Sequence, residues 1–365
     1  MWNFGAVRSA LLVAIGSALI ATVACGGGAN KMPPTNAYVY VAQEQASPTQ
    51  PDLWTGSIAQ LKVDGNGGLG KQQPNTVSAG AVPGSMAVDP SGRYLLISEE
   101  GTIAEYAIAS DGTLTRSAPT GIVTGVLFTF TPDGRYLIST GAGSNGLPLN
   151  TLGVFSFRSD GLLTLVSSTN IASQTGPIAV DVSSSFVYFG SQNDNRIYEY
   201  SLSAEGELTP TGSVAGGSVS PFWLPASPNG FLYSPINGPG GMLGAFRINP
   251  NDGSLAQGSN FALCSLAVDY PITFTPSGKY AYASCGGTLS QFSVDEVTGV
   301  FVPNGPDLPS VGGITMDSSG KFGFAFTDVD TVTKFVVGPD GTLSPDSGLV
   351  LSTSMLGQSI VSTHR

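Results

Sequence analysis

Apolar and polar positions alternate in short bursts along nearly the whole chain, and the bursts come back in the same order. The clearest copy is Thr102-Ile-Ala-Glu-Tyr-Ala-Ile-Ala-Ser-Asp-Gly-Thr-Leu114. It returns as Arg196-Ile-Tyr-Glu-Tyr-Ser-Leu-Ser-Ala-Glu-Gly-Glu-Leu208 and as Thr331-Val-Thr-Lys-Phe-Val-Val-Gly-Pro-Asp-Gly-Thr-Leu343, with weaker copies from Ser57, Thr151, Met242 and Thr288. A second unit precedes it, an apolar hairpin around a Pro/Gly turn: Phe130-Thr-Pro-Asp-Gly-Arg-Tyr136, Phe274-Thr-Pro-Ser-Gly-Lys-Tyr280 and Met316-Asp-Ser-Ser-Gly-Lys-Phe322. Pro and Gly set the dihedrals of such turns. Strands Tyr94–Ser98 and their counterparts carry apolar residues at successive positions, so both faces are covered. A period of roughly 40–50 residues with four strands per unit predicts an all-β, seven-bladed β-propeller of four-stranded antiparallel blades.

The first unit begins directly with Ala37-Tyr-Val-Tyr-Val-Ala42, which matches the second strand of the other units. The missing first strand appears at the far end, where Gly357-Gln-Ser-Ile-Val-Ser362 aligns with Pro83-Gly-Ser-Met-Ala-Val88. The C-terminal strand is therefore expected to close blade one, which removes the two open edges of the ring. The propeller is placed at residues 37–365.

Composition agrees with this reading. Forty-nine Gly and 25 Pro in 365 residues, with 41% hydrophobic and only 11% charged residues, suit many short strands and tight turns. The net charge of −11 comes from scattered acids, and no Lys/Arg cluster with interleaved aromatics argues for nucleic acid. Residues 1–24 read as a signal peptide, with Arg8 ahead of the apolar run Ala10–Ile20. Ala21-Thr-Val-Ala-Cys25 resembles a bacterial lipobox, with Thr22 where Leu is usual, which makes Cys25 the candidate lipidation site and 25–36 a tether. An ordinary secretory signal is the alternative. Either way an exported monomer, a periplasmic or outer-membrane-anchored envelope lipoprotein or otherwise secreted, meets an oxidising compartment, where Cys264 and Cys285 are a candidate disulfide. A metal pair or free thiols remain the alternatives for these two.

The hairpin Pro-Ser-Gly-Arg-Tyr-Leu of residues 90–95, followed by the Tyr-x-Ile-x-x-Asp-Gly-Thr-Leu run ending at Leu114, resembles the lactonase-type seven-bladed propellers. That group includes the propeller 6-phosphogluconolactonases and the fungal muconate cycloisomerases. The links Ser191-Gln-Asn-Asp-Asn-Arg196 and Thr327-Asp-Val-Asp-Thr331 resemble it too. The resemblance covers nearly the whole mature chain and implies a central-channel site built from a His with Arg and Glu partners. This chain departs from that pattern, because its single histidine is His364 at the C-terminus.

Propeller sites gather where the fourth strand of one blade leads into the next and where second and third strands connect. The first set of loops brings one ionisable residue, Asp269; the second brings Glu44, Asp52, Glu99, Glu100, Asp194, Arg196, Asp328 and Asp330. Arg196, Asp194, Asp269 and Glu99 are accordingly the candidate catalytic residues, Arg196 for a carboxylate or phosphate. Asp328 and Asp330 are candidate oxygen ligands for a hard cation such as Ca²⁺. Rim acids solvated at hairpin turns account for the same residues without a site. Trp54 and Trp223 are candidates for the rim or for ordinary core packing. No Gly-x-Ser-x-Gly elbow with a His partner exists, which removes serine-hydrolase chemistry. Two functions are expected from these observations: hydrolysis of a small sugar or aryl lactone, or non-catalytic binding of a carbohydrate or envelope protein by a membrane-anchored propeller.

Overall fold

The structure is a computed structural model. It describes residues 37–46, 54–64, 68–80, 83–99, 102–117, 127–140, 150–171, 176–191, 193–216, 223–236, 242–263, 272–328, 331–350 and 356–363. Seven antiparallel sheets follow one another in chain order. Blade two shows the unit: Pro83–Val88, Tyr94–Glu99, Thr102–Ile108 and Leu114–Arg116, each hydrogen-bonded to the next. These four positions are called strands a to d below. Strand b faces two neighbours at once: Leu95 and Ile97 pack with Tyr38, Tyr40 and Ala42 of blade one, while Leu96 packs with Phe128 and Phe130 of blade three. The a strands of neighbouring blades touch one another around the axis.

Blade one is built from both ends of the chain. Leu356–Ser362 pairs antiparallel with Ala37–Ala46, as the alignment predicts. The join repeats a device found in every other blade, where the residue after strand a caps the following hairpin. Asp89 accepts from the backbone N–H of Ser91, Arg93 and Tyr94 at 3.0, 2.7 and 2.6 Å. Asp181 does the same in blade four, and Asp317 accepts from the N–H groups of Ser319 and Phe322 in blade seven. The hydroxyls of Thr131, Ser227 and Thr275 serve in blades three, five and six. In blade one the cap is Thr363, whose Oγ1 accepts from the Tyr38 N–H at 3.0 Å while its own N–H donates to Tyr38 O at 2.9 Å. Hydroxyls on the inner strands continue the seal. Ser362 Oγ donates to Met316 O at 2.7 Å and Ser359 Oγ to Gly84 O at 2.9 Å, tying blade one to both neighbours.

The blades are latched at the turn between strands c and d. An aromatic opening strand b lies against the turn glycine of the next blade, and a tyrosine two residues later bonds to it. Tyr40, Tyr188, Tyr233 and Tyr282 donate to the carbonyls of Gly112, Gly253, Gly299 and Gly341 at 2.7–3.0 Å. Blade five departs from the four-stranded pattern. Its strand a is a single bridge, Ala226 to Leu232, beside three strands. Pro225 and Pro228 flank that bridge and carry no N–H to extend it.

A buried polar side chain halfway along strand c binds the next blade. Gln60 Oε1 accepts from Leu114 N–H, Gln291 Oε1 from Leu343 N–H at 2.6 Å, and Glu199 Oε1 from Leu255 N–H at 3.3 Å. Where that residue is a glutamate, burial raises its carboxyl above the ordinary value, as at Glu105 and Glu199.

Two outcomes follow from this packing. Gly341 has φ +81°, and an added Cβ would lie 2.2 Å from the Tyr280 ring, so Gly341→Ala should lose about 2–4 kcal/mol in denaturant unfolding. Gly70, with open space around its Cβ position, should tolerate alanine within ~0.5 kcal/mol. The raised Glu199 carboxyl means the folded state holds its proton more tightly than the unfolded chain. That contribution favours folding below the ordinary pKa of 4.5 and is lost as pH rises through the raised native value. Glu199→Gln keeps the acceptor and removes the charge. It should melt higher than the parent at pH 7, and the gap should shrink by pH 4.

Candidate functional site

The described candidate residues sit at the ends of strands b and c, on the side of the disc opposite the a–b and c–d turns. The structure gives them different environments. Glu99 ends strand b of blade two and is only 3% exposed. Its Oε2 is 2.6 Å from Arg116 on the outermost strand, and its Oε1 accepts from Tyr106 at 2.9 Å. The same Tyr106 hydroxyl lies 2.9 Å from Ser78 O of blade one, so its one proton is shared between the carboxylate and the neighbouring blade at the seam. Burial first, then the Glu99 charge, pushes the Tyr106 hydroxyl up and keeps it a donor.

Asp194 and Arg196 flank the b–c turn of blade four. Asn195 between them has φ 55°, a left-handed conformation that asparagine tolerates well. Asp194 is exposed and accepts from the Tyr198 hydroxyl. Desolvation is the largest single influence on its carboxyl and raises it. Hydrogen bonds, that from Tyr198 foremost, and the Arg196 charge together outweigh this and hold the carboxyl below the usual range. Arg196 points its guanidinium along its own blade. Nε donates to Ser213 Oγ at 2.9 Å and Nη2 to Ser213 O at 3.1 Å, on the outermost strand. Its remaining N–H groups have no described partner. Asp194 and Arg196 are thus neighbours at one turn, while Glu99 stands two blades away and shares no contact with either.

Asp328 ends strand b of blade seven, in register with Thr331; its side chain, with Asp269 and Asp330, lies outside the described residues. Among the described residues no group of three or more His, Cys, Asp or Glu side chains could hold a metal ion. Cys285 is buried and disulfide-bonded; Cys264 lies outside the described residues, as do Cys25 and His364. Trp223 belongs to the core, packed with Phe231 and Tyr233, and does not line the rim. No helix of the described residues is long and apolar enough to cross a membrane.

Glu44 differs from the rim acid that its loop position suggests. It is 2% exposed, its Oε1 has no hydrogen-bond partner, and burial raises its carboxyl. The preceding Gln43 is 1% exposed with both amide atoms unpartnered. The available sequence signal was their place directly after an unbroken apolar strand, which extends burial past Ala42.

Fold and site together define a seven-bladed β-propeller whose described candidate residues lie at the b–c side. Solved structures share that fold, three of them as follows. A proposed 6-phosphogluconolactonase from Bacteroides fragilis superposes with a TM-score of 0.66 at 16% identity, over 92% of this chain and 100% of that one. One from Bacteroides uniformis gives 0.64 at 18%, over 89% and 99%. The periplasmic gluconolactonase of Pseudomonas aeruginosa gives 0.65 at 15%, over 89% and 99%. At these identities the likeness is one of fold. No protein-family model matches the chain, and no curated protein does.

The Glu99 seam generates a direct expectation. Arg116→Ala leaves a buried carboxylate with a single hydroxyl donor and should lower stability by about 1–3 kcal/mol. Glu99→Gln in the same chain should recover most of that loss, a coupling that a double-mutant cycle measures.

Proposed function

We propose that this chain is an exported propeller hydrolase that opens the ring of a sugar-acid or related lactone at the b–c side of its channel. The observation that carries the reading is the superposition on a periplasmic gluconolactonase over 89% of the chain. The lipobox-like segment ending at Cys25 supports an envelope location and a lipid anchor, and the acidic, low-charge surface suits a small hydroxylated substrate. In such a reaction water adds to the ring carbonyl, the ring C–O bond breaks, and a carboxylate and a hydroxyl are released. The free N–H groups of Arg196 suit the developing oxyanion, and Asp194 beside it stays ionised. Asp269 and Asp328 with Asp330 complete the proposal, the last two as Ca²⁺ ligands. We assign the Cys285 disulfide to Cys264.

A second reading rests on a specific observation. Glu99 and Arg196 are both engaged with the outermost strands of their own blades, as structural pairs would be. On that reading the propeller binds a carbohydrate or an envelope protein without catalysis.

Acid release from a panel of sugar, acyl-homoserine and aryl lactones, with Ca²⁺ and with chelator, separates the two. Turnover that falls at least about 100-fold in Arg196→Ala supports the hydrolase. A folded, monodisperse protein that turns over none of the panel selects the binding reading.

A further inference from the structure

Two positions of strand c set blade four apart from the rest of the ring. The residue that opens each copy of the repeat is Ser57, Thr102, Thr151, Met242, Thr288 or Thr331, but in blade four it is Arg196. Two residues later the other six blades carry Ala59, Ala104, Gly153, Gly244, Ser290 and Thr333, and blade four carries Tyr198. The positions are equivalent, since the buried Gln60, Glu105, Glu199 and Gln291 each follow directly. A small side chain therefore satisfies the fold at this place, and the tyrosine of blade four answers another need.

Arg196 and Tyr198 stand two apart on strand c, so both side chains leave the same face of the blade. That face turns towards blade three, where the half-buried Tyr198 ring packs on a core that includes Ile138, Leu152 and Phe189. The ring carries its hydroxyl back to the b–c turn, where it donates to Asp194 Oδ2. Across the sheet Tyr198 pairs in register with Ser213, the residue that holds the Arg196 guanidinium at 2.9 and 3.1 Å. Tyr198 is thus joined to both charged residues, directly to Asp194 and through its cross-strand neighbour to Arg196. The Arg196 charge acts on Asp194 and on Tyr198 alike. The bond to Asp194, then burial and the carboxylate's charge, push the Tyr198 hydroxyl up, so it remains the donor of the pair.

We propose that Tyr198 is a positioning residue for lactone opening, its hydroxyl fixing the Asp194 carboxylate beside the Arg196 guanidinium. The assignment rests on the hydrolase reading above and adds the residue that holds its two charged groups in one geometry. Water gives a hydrogen to Asp194 as its oxygen bonds to the ring carbonyl carbon. Arg196 meets the carbonyl oxygen, and the proton ends on the ring oxygen when the ring C–O bond breaks. An exposed aspartate at a turn is free to change rotamer, and a donor anchored in the core removes that freedom. Small misplacements of a reacting group are costly, so such an anchor bears on rate. The ring of Tyr198 does the packing and its hydroxyl the positioning, which phenylalanine separates.

The experiment is steady-state kinetics of the full chain, parent and Tyr198→Phe, with the melting temperature of each. The lactones are glucono-1,5-lactone, N-butanoyl-homoserine lactone and dihydrocoumarin, each corrected for spontaneous opening. Tyr198→Phe keeps the packed ring, so its melting temperature should stay within about 2 °C of the parent. Its kcat should fall at least about tenfold while KM changes less than about twofold, as when a bond to a charged group is lost from the transition state. The acid limb of kcat should move to higher pH. Among the described residues Tyr198 and Arg196 are the titratable groups that act on Asp194, and the variant keeps only the second. An unchanged kcat, or an acid limb that does not move, overturns the positioning role and leaves the hydrolase reading standing. A change confined to KM, or a loss that follows a fall in melting temperature, marks Tyr198 as a binding or structural residue and overturns it too. No turnover of any of the three lactones by the parent removes the hydrolase reading and this assignment with it.

Discussion

Among the described residues, blades one to six are each held to the next by an aromatic side chain resting on a glycine turn, and much of the disc depends on that contact. The turn between strands c and d can accept the ring only because its glycine has no Cβ and adopts a positive φ. At Gly112 the missing side chain would lie 2.1 Å from Tyr38, and at Gly341 2.2 Å from Tyr280. A tyrosine two residues further along the same strand then donates to the turn glycine's carbonyl, as Tyr40 does to Gly112 and Tyr282 to Gly341, so one strand supplies both the packing and the hydrogen bond. Because a–b and c–d turns share one side, that side is consolidated, and the opposite side is free to carry loops of varied length and chemistry.

The same economy governs the polar groups inside the ring. A buried side-chain carbonyl on strand c meets the N–H that opens strand d of the next blade, supplied by glutamine in blades one and six and by glutamate in blade four. The glutamates carry a desolvation penalty that the glutamines do not. Thr363 extends this logic to the closure, since its single hydroxyl repeats at the chain's end the cap that Asp89 provides within blade two. The ring is thus joined by the same chemistry at its seam as elsewhere.

On the functional side the structure separates residues that share a position in the repeat. Glu99 and Glu44 both end a second strand and both are buried. One is neutralised by an arginine on the outermost strand; the other has a buried Oε1 without a hydrogen-bond partner. Asp194 and Arg196 adjoin at an exposed turn, with the guanidinium anchored on Ser213 and partly free. Arrangements like these distinguish a carboxylate that staples blades from one that burial leaves partly unmatched.

The repeat made most of the fold legible from residue order alone. Local turn chemistry and period-two apolar runs act within a few residues, so the strands and hairpins of blades two, four and seven could be read directly, and so could the return of residues 357–362 to blade one. Blade five's shortened inner strand was also written locally, in Pro225 and Pro228. What only the tertiary structure decided was pairing across blades. Nothing near Glu99 in sequence announces Arg116 as its partner, nothing near Arg196 announces Ser213, and Glu44 looked like a solvated rim acid. Partnership and burial depend on groups contributed by other strands and other blades, at distances that the repeat does not encode. The chain order could therefore fix which side chains reach the functional side, and three-dimensional packing alone determined which of them were already spoken for.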